Sequence, residues 1–269
     1  MLLPEDVTIF EEIVVPSYLS YFASLAVDML MPYAPATIAH IGCRTGFPDN
    51  AITDKLPGST IVGVDTSPSA LDLARSKASL HSGMRATYQV ADELPTALPD
   101  DTFTHALAIH PLADVEGRSR LLSELRRILL PGGQALLALP VRGSFPELND
   151  MLREFALRQD LPNLNKAVDV SAQRRPTIET ISEEFEGAGL TEVDVDVQLI
   201  AVSFNNGREF LEDPIARLMV MPDMRVQIPV EAPVMDQALQ YLHEAILKYW
   251  SEGVFELTVN VGCASGRRF

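Results

Sequence analysis

Short apolar segments alternate with amphipathic segments along the first half of the chain. The apolar segments at 36–41, 59–65, 84–90, 103–109 and 133–141 have the length and side-chain pattern of β-strands. The amphipathic segments at 67–80 and 114–130 predict helices; the first begins at Ser67-Pro68, and Pro131-Gly132-Gly133 ends the second. Alternation of this kind is typical of a parallel sheet with helices on both faces.

The second half of the chain continues the pattern less regularly. It predicts strands at 191–204 and 254–262 and helices at 145–159, 177–190, 207–220 and 236–250, with Thr177 as an N-cap. Residues 161–176 are predicted to be irregular, and the segments near 159–176 and 205–250 are interpreted as insertions over one end of the sheet. We therefore expect an α/β fold, with a doubly wound, mostly parallel, seven-stranded Rossmann-like sheet and helical insertions over its C-terminal rim.

The charge of the chain restricts its partners. Among its 269 residues, 37 Asp and Glu outnumber 21 Lys and Arg, which gives a net charge of -16. The resulting field repels phosphates, so we expect no nucleic-acid partner and no membrane partner. Two cysteines provide neither a disulfide framework nor a metal cluster, and no metal is predicted. The N-terminus lacks a signal-peptide pattern and no uncharged run is long enough to span a membrane, so we expect a cytoplasmic protein.

The sequence IAHIGCRTGFPD at residues 38–49 runs from a predicted strand into a glycine turn. It is not a P-loop, because Phe47-Pro48 rather than Lys and Ser or Thr follow Gly46. It also lacks the third glycine of a dinucleotide-binding fingerprint, which disfavours a nucleotide-dependent oxidoreductase. Taken alone, the pair Gly42 and Gly46 fits two interpretations: a site where a ligand approaches the backbone, or a simple reversal of the chain.

Two carboxylates are predicted at the same rim of the sheet as this turn. Asp65 ends the second strand, 19 residues after Gly46, where an acid can accept both hydroxyls of a ribose; the alternative is an N-cap for the next helix. Asp92 follows the third strand, where it can accept from an adenine amino group or serve as a cap. The three features together favour a nucleoside-containing ligand over three separate coincidences.

The motifs in this order resemble the class I S-adenosylmethionine (SAM)-dependent methyltransferases, in particular the small-molecule branch related to the quinone-biosynthesis enzymes. The segments that carry the resemblance are AHIGCRTG, IVGVDTSPSALDLAR, ADELPTALPDDTF and LLSELRRILLPGGQALLALP. The resemblance extends over nearly the whole chain. It implies a SAM cofactor and methyl transfer to a small organic acceptor.

The resemblance also implies a role for individual residues and a division of the chain. Gly42, Cys43 and Gly46 would lie along the methionine part of SAM. Asp65 would bind the ribose, with Thr66 beside the adenine. Asp92 and the backbone of Glu93 would bind the adenine. On this basis residues 1–35 form a helical lead-in and residues 36–145 the SAM-binding core. Residues 146–269 form the remainder of the same sheet with its helical insertions.

Two residues depart from the family pattern. His40 stands where the family has an acid, and Arg44 stands where it has the middle glycine of the turn. In one interpretation, Arg44 binds the carboxylate of the cofactor and His40 accepts one hydrogen bond from its ammonium. In the other, Arg44 fills the cavity, and the protein has lost catalysis and acts as a scaffold or regulator.

The acceptor side offers fewer signals. His110, at the tip of the fourth strand, is the candidate catalytic base, with a packed rim histidine as the alternative. Tyr18 and Phe22 of the leading helix fit either a cover for the cofactor or plain core. Arg174 and Arg175 are predicted to lie in a solvated loop, with binding of a substrate carboxylate as the alternative.

Overall fold

The computed structural model describes residues 2–269 and contains one seven-stranded sheet. The strand order is β3-β2-β1-β4-β5-β7-β6. The first five strands pair in parallel, and β7 runs antiparallel to both β5 and β6. This arrangement confirms the predicted α/β, mostly parallel sheet. The strands are β1 (Thr37–Ile41), β2 (Thr60–Asp65), β3 (Arg85–Val90), β4 (Phe103–Ile109), β5 (Leu129–Pro140), β6 (Thr191–Phe204) and β7 (Phe255–Arg267).

Helices cover both faces of the sheet. The leading segment is helical almost throughout: a 3₁₀ turn at Pro4–Asp6, α1 (Val7–Ile9), a π-helical stretch at Phe10–Leu19 and α2 (Ser20–Asp28). The other helices are α3 (Asp49–Lys55), α4 (Pro68–Leu80), α5 (Val115–Ile128), α6 (Pro146–Arg158), α7 (Pro162–Arg174), α8 (Ile178–Gly187), α9 (Gly207–Glu212), a π-helical turn at Ala216–Val220, α10 (Met221–Gln227) and α11 (Ala232–Tyr249).

Several helices begin where a side chain caps them. The side chains of Ser67, Asp114, Thr177 and Asn206 each accept a hydrogen bond from the backbone N–H three residues later. Such a cap satisfies one of the free N–H groups of the first turn and stabilises a helix by about 1 kcal/mol. Thr177 is therefore the cap that the sequence predicted.

The prediction that residues 161–176 are irregular is wrong. They contain helix α7, which begins with a proline at its first position and buries Leu164, Ala167, Val168 and Ser171 on one side. Half of that stripe is made of small residues, so the apolar period is weak in the sequence. Strand β5 also begins earlier than predicted, because Leu129 already pairs with Phe103 across an irregularity in the register.

The core has one large apolar cluster on each face of the sheet. The leading segment, α3, α6 and α7, and the helices between 207 and 249 pack on one face, and α5 and α8 pack on the other. Alternate residues of β1 enter different clusters: Ile38 faces the leading segment, whereas Ala39 and Ile41 face α5. The carboxyl ends of the parallel strands are left as an open rim, over which the N-terminal residues and the 207–227 helices extend.

Among the helices of the described chain, none combines the length and the apolar character that crossing a bilayer requires.

Candidate functional site

A cavity of about 910 Å³ lies at the carboxyl ends of β1, β2 and β4. This is the rim at which open α/β sheets bind ligands, and the volume falls within the range of small-molecule sites, roughly 300–1,000 Å³. The floor comes from the turn after β1, the tip of β2 and the loop after β3. The leading segment contributes Leu2, Leu3, Asp6 and Phe10, and the 207–227 helices contribute Arg217, Leu218 and Pro222.

Asp65 lies at the tip of β2 in the cavity wall. Its Oδ1 accepts the backbone N–H of Ser67 at 2.9 Å, and its Oδ2 accepts the backbone N–H of Arg44 at 3.0 Å. These bonds fix the carboxylate between the turn after β1 and the start of α4. Because each carboxylate oxygen has two acceptor positions, each oxygen keeps one for a ligand. Asp65 can therefore accept two hydroxyl donors, as a ribose would supply.

The loop after β3 supplies the second pair of acids. Asp92 and Glu93 are exposed side chains that line the cavity together with Thr66 and Leu94. The backbone continues away from the sheet here, so its polar groups are not engaged in strand pairing. An exposed carboxylate and free backbone groups beside Leu94 provide both polar and apolar contacts for a heteroaromatic ring.

The two glycines of the turn after β1 have different tasks. Gly42 adopts φ +68°, and a Cβ on it would point into open space, so its backbone faces the cavity without a side chain. Gly46 adopts φ +71°, and a Cβ there would lie 2.9 Å from the Tyr88 hydroxyl and 3.0 Å from the Cβ of Ala74. Gly46 therefore serves close packing beneath the turn and does not line the cavity. Cys43 is also buried beneath the turn, where burial raises the pKa of its thiol.

His40 does not line the cavity. It is fully buried in β1, and its Nδ1 lies 2.7 Å from Oδ1 of Asp49, whose Oδ2 accepts the Tyr88 hydroxyl at 2.7 Å. The resulting chain of His40, Asp49 and Tyr88 ties β1 to the first residue of α3 and to β3. Nε2 of His40 has no hydrogen-bond partner among the described residues. His40 therefore supports the turn from beneath. Because its side chain does not line the cavity, the structure offers no contact for the predicted hydrogen bond to a cofactor ammonium.

Arg44 crosses the cavity floor from the turn after β1 to the tip of β4. Its Nη1 donates to the carbonyl of Ile109 at 2.9 Å, and its Nη2 donates to the carbonyl of His110 at 2.7 Å. The ring of Phe10 lies 5.8 Å from its Cζ, within the range of a cation–π contact. Its backbone is left-handed, with φ 47°, at the position where the family has glycine. The side chain lines the cavity without closing it.

His110 is packed behind the cavity wall. Its ring is fully buried, its Nε2 lies 3.0 Å from the Tyr18 hydroxyl, and its ring meets that of Phe22 edge-on at 4.7 Å. Burial lowers the pKa of His110 to about 3. Its Nδ1 has no partner among residues 2–269. The imidazole is therefore neutral at physiological pH. Ile109 and Pro111, on either side of it, line the cavity in its place.

Arg175 does not lie in a solvated loop, which corrects the prediction. It is 4% exposed and forms an ion pair with Asp223 of α10, which is 1% exposed. Its guanidinium also lies 4.9 Å from the ring centre of Phe145. The neighbouring Arg174 is exposed, but it is the last residue of α7 and does not lie in a loop. The sequence does not reveal this pair, because its members are 48 residues apart and meet only in the folded chain.

The structure thus brings part of the predicted site together. Gly42, Arg44, Asp65, Thr66, Asp92 and Glu93 line one cavity, whereas His40, Cys43, Gly46 and His110 lie behind its wall. Sequence reasoning did not find Asp6 and Arg217, whose ion pair of 2.7 Å joins the leading segment to the 207–227 helices over the cavity. No local signal marks them, because their meeting depends on two distant segments.

Comparisons with known proteins agree with this geometry. Residues 39–137 match the family model described as a methyltransferase domain. Demethylmenaquinone methyltransferase of Thermus thermophilus is 33% identical over 126 residues, which are 45% of this chain and 56% of that protein. Trans-aconitate 2-methyltransferase of an Acidovorax species is 31% identical over 123 residues, which are 46% of this chain and 45% of that protein. The chain therefore spans about half the length of these relatives.

Solved structures share the whole fold. Phosphoethanolamine N-methyltransferase 2 of Haemonchus contortus, solved in complex with S-adenosyl-L-methionine, has a TM-score of 0.57 and 17% identity. The alignment covers 99% of this chain and 57% of that one, and at this identity it concerns the fold alone. Together, the matched domain at residues 39–137 and the sheet order make this chain similar to SAM-dependent methyltransferases in the matched domain and in the fold.

Proposed function

We propose that this protein transfers the methyl group of SAM to a small organic acceptor. The observation that carries the proposal is the cavity at the rim, with Asp65 held in place by two backbone N–H groups and left with one free acceptor position on each oxygen. A carboxylate prepared in this way suits a ribose, which presents two adjacent hydroxyls. The donor set therefore fits a nucleoside cofactor.

The remaining rim residues complete the cofactor site. We assign Asp92, the backbone of Glu93 and Thr66 to the adenine, and the backbone of Gly42 and the side chain of Arg44 to the amino-acid end. The open space above Gly42 supports this assignment, since a ligand can approach the backbone there. When bound, SAM supplies an electrophilic methyl group on a sulfonium.

The chain contributes mainly position and shelter to such a displacement. The leading segment and the 207–227 helices cover the cavity and meet at the Asp6–Arg217 pair, which limits the access of water. A base is needed only for an acceptor that carries a proton. The catalytic role of His110 stays a prediction. Its imidazole is neutral, but the ring is buried against Tyr18 and Phe22 and does not line the cavity.

The names of the two relatives suggest acceptors to test. They are enzymes of demethylmenaquinone and of trans-aconitate, an aromatic quinone and a small polycarboxylate. In the cavity, the leading segment and the 207–227 helices present mainly apolar side chains, among them Leu3, Phe10 and Leu218, with the Asp6–Arg217 pair as the charged group. This lining fits an apolar acceptor with one polar group better than it fits a polycarboxylate, so we favour the quinone class.

Calorimetric titration with SAM and with S-adenosylhomocysteine tests the cofactor. We expect micromolar or tighter binding of both, and the absence of heat with either would contradict the proposal. Radiolabelled SAM then tests the acceptor class, with demethylmenaquinone in its quinone and quinol forms compared with trans-aconitate. Transfer to the quinol and not to trans-aconitate is the expected result, and the reverse would exclude the acceptor that we favour.

A further inference from the structure

Arg44 differs from the other inward-facing arginines in having no carboxylate partner. Arg118 pairs with Glu184, Arg127 with Glu124 and Arg175 with Asp223. Within residues 2–269, no Asp or Glu oxygen lies within 4.0 Å of the Arg44 guanidinium. Removing a guanidinium from water without a counter-ion costs free energy. An anion bound beside Arg44 would therefore be stabilised by its charge.

The hydrogen bonds of Arg44 fix the direction in which it faces. A guanidinium has five N–H donors, and two of them bind the carbonyls of Ile109 and His110. These bonds hold it against the β4 tip, and the ring of Phe10 covers it at 5.8 Å. Three N–H donors are left, and the side chain lines the cavity, so they are available to a ligand there. A planar fork of this kind matches a carboxylate.

Nearby acids do not already satisfy this cation. Among the acids, Asp65 has the largest electrostatic effect on the Arg44 guanidinium. Its oxygens, however, accept the backbone N–H groups of Ser67 and of Arg44 and do not bind the guanidinium. Burial lowers the pKa of the Arg44 guanidinium, and the charge of Asp65 offsets only part of that effect. The backbone of Arg44 is also held at φ 47°, which costs about 1–2 kcal/mol for a residue with a side chain. The fold therefore tolerates strain to keep this side chain in the turn.

We propose that the Arg44 guanidinium binds the carboxylate of the amino-acid end of SAM, in place of the backbone contacts that the family's middle glycine permits. This inference rests on the proposed function. SAM carries one carboxylate, next to its ammonium, and both lie at the opposite end of the cofactor from the adenine. With Asp65 on the ribose, the turn after β1 is the part of the rim that this end reaches.

The test compares SAM with decarboxylated SAM, which keeps the sulfonium and the amine and lacks only the carboxylate. Both are titrated calorimetrically into the wild type, Arg44→Gln and Arg44→Lys. We expect Arg44→Gln to weaken SAM binding roughly 10- to 100-fold, the range for a lost charge-assisted contact. Binding of decarboxylated SAM should change by less than about threefold, and Arg44→Lys should lie in between because it keeps the charge and loses the fork.

Glutamine is used rather than glycine because glycine would also relieve the left-handed backbone. Arg120→Gln is the matched control, since Arg120 lines the same cavity from α5 but is exposed. An equal loss for both ligands in Arg44→Gln, tighter binding of both, or loss of the carboxylate preference in Arg120→Gln would each overturn the inference. A wild type that binds neither ligand would instead refute the proposed function, so the two failures are distinguishable.

Discussion

The two ends of the cavity are built on different principles. At the β2–β3 end, Thr66, Asp92 and Glu93 line the wall, and the acids face solvent. At the β1–β4 end, polar groups are bound to one another: Arg44 to the tip of β4, His110 to Tyr18, and Arg175 to Asp223. The first end, called the open end below, leaves its acids free for a ligand. At the second, called the closed end, protein contacts satisfy most polar groups, and the three remaining N–H donors of Arg44 are the exception.

The difference coincides with where the sequence departs from the family pattern. The β2–β3 end keeps the acids that the resemblance implied, and the unexpected residues His40 and Arg44 both belong to the β1–β4 end. At that end, both departing residues make contacts that support the turn after β1. His40 binds Asp49 beneath the turn, and Arg44 binds the β4 tip above it. The end that we assign to the adenosine thus keeps the family pattern, whereas the end that we assign to the amino-acid part of SAM departs from it.

The largest effect is expected from breaking the closed end at its buried ion pair. Arg175→Met leaves Asp223 charged and buried without a partner, which typically costs about 3–5 kcal/mol in the free energy of unfolding. Urea denaturation measures it. Arg174→Met, at the exposed neighbour, should change the stability by less than about 0.5 kcal/mol.

The double variant Arg175→Met with Asp223→Leu separates charge from packing. Replacing a buried pair by apolar side chains is often nearly neutral, so most of the lost stability should return. If the double variant is as unstable as Arg175→Met alone, the cause is packing against Phe145 and not the unpaired carboxylate.

The next largest effect is expected at the open end. Asp65→Ala should weaken SAM binding by about 1.5–3 kcal/mol, because charge-assisted hydrogen bonds to the ribose are lost. Calorimetry measures it, and a thermal melt checks that the variant is folded, since Asp65 also accepts two backbone N–H groups. Asp65→Asn keeps an acceptor oxygen and should lose less. Unchanged affinity in a folded Asp65→Ala protein would remove Asp65 from the ribose site.

The open end is also the part that could be predicted from the sequence. Asp65 and Asp92 follow strands with strong apolar patterns, and the carboxyl ends of parallel strands meet at one rim whatever the rest of the chain does. The caps at Ser67 and Thr177 depend on similarly local signals. Local chemistry and one topological rule were sufficient there.

The closed end could not be predicted in the same way. Whether Arg44 faces a ligand, the solvent or the β4 carbonyls depends on where Ile109 and His110 lie, 65 and 66 residues later. The burial of Arg175 depends on Asp223, and that of His110 on Tyr18 of the leading segment. The sequence around Arg174 and Arg175 is polar and therefore predicts solvated side chains. Only the contact with Asp223 in the folded chain shows that Arg175 is buried.

The neutrality of His110 gives a pH-dependent test of the closed end. Its pKa is lowered to about 3 in the fold by burial, whereas the unfolded chain takes up a proton near pH 6.5. The unfolded state therefore binds more protons below pH 6.5, and the stability that His110 contributes is present above that pH and falls as the pH drops towards 3.

Between pH 6.5 and pH 5 the wild type should lose about 1.5 kcal/mol more stability than His110→Gln, which has no proton to take up. Urea denaturation of both proteins at the two pH values measures the difference, and the other histidines cancel because both proteins contain them. Parallel pH dependence of the two proteins would show that His110 titrates normally and is not enclosed as the structure has it.

The smallest expected effect is an absence of binding, and it tests whether the net charge of the chain excludes nucleic acids as partners of the open end. The cavity that we assign to SAM is lined by Asp65 and Asp92 and belongs to a chain with net charge -16. Nucleic acids carry closely spaced phosphates, and their affinity for proteins comes mainly from Lys and Arg contacts that release counter-ions. We therefore expect no mobility shift of double-stranded DNA with micromolar protein at physiological salt.

Lowering the salt lengthens the range of the repulsion and should not produce a shift, in contrast to a basic protein, which binds DNA more tightly at low salt. A shift that grows as salt is removed would reveal a basic surface that outweighs the overall charge, and would show that charge does not restrict this cavity to small ligands.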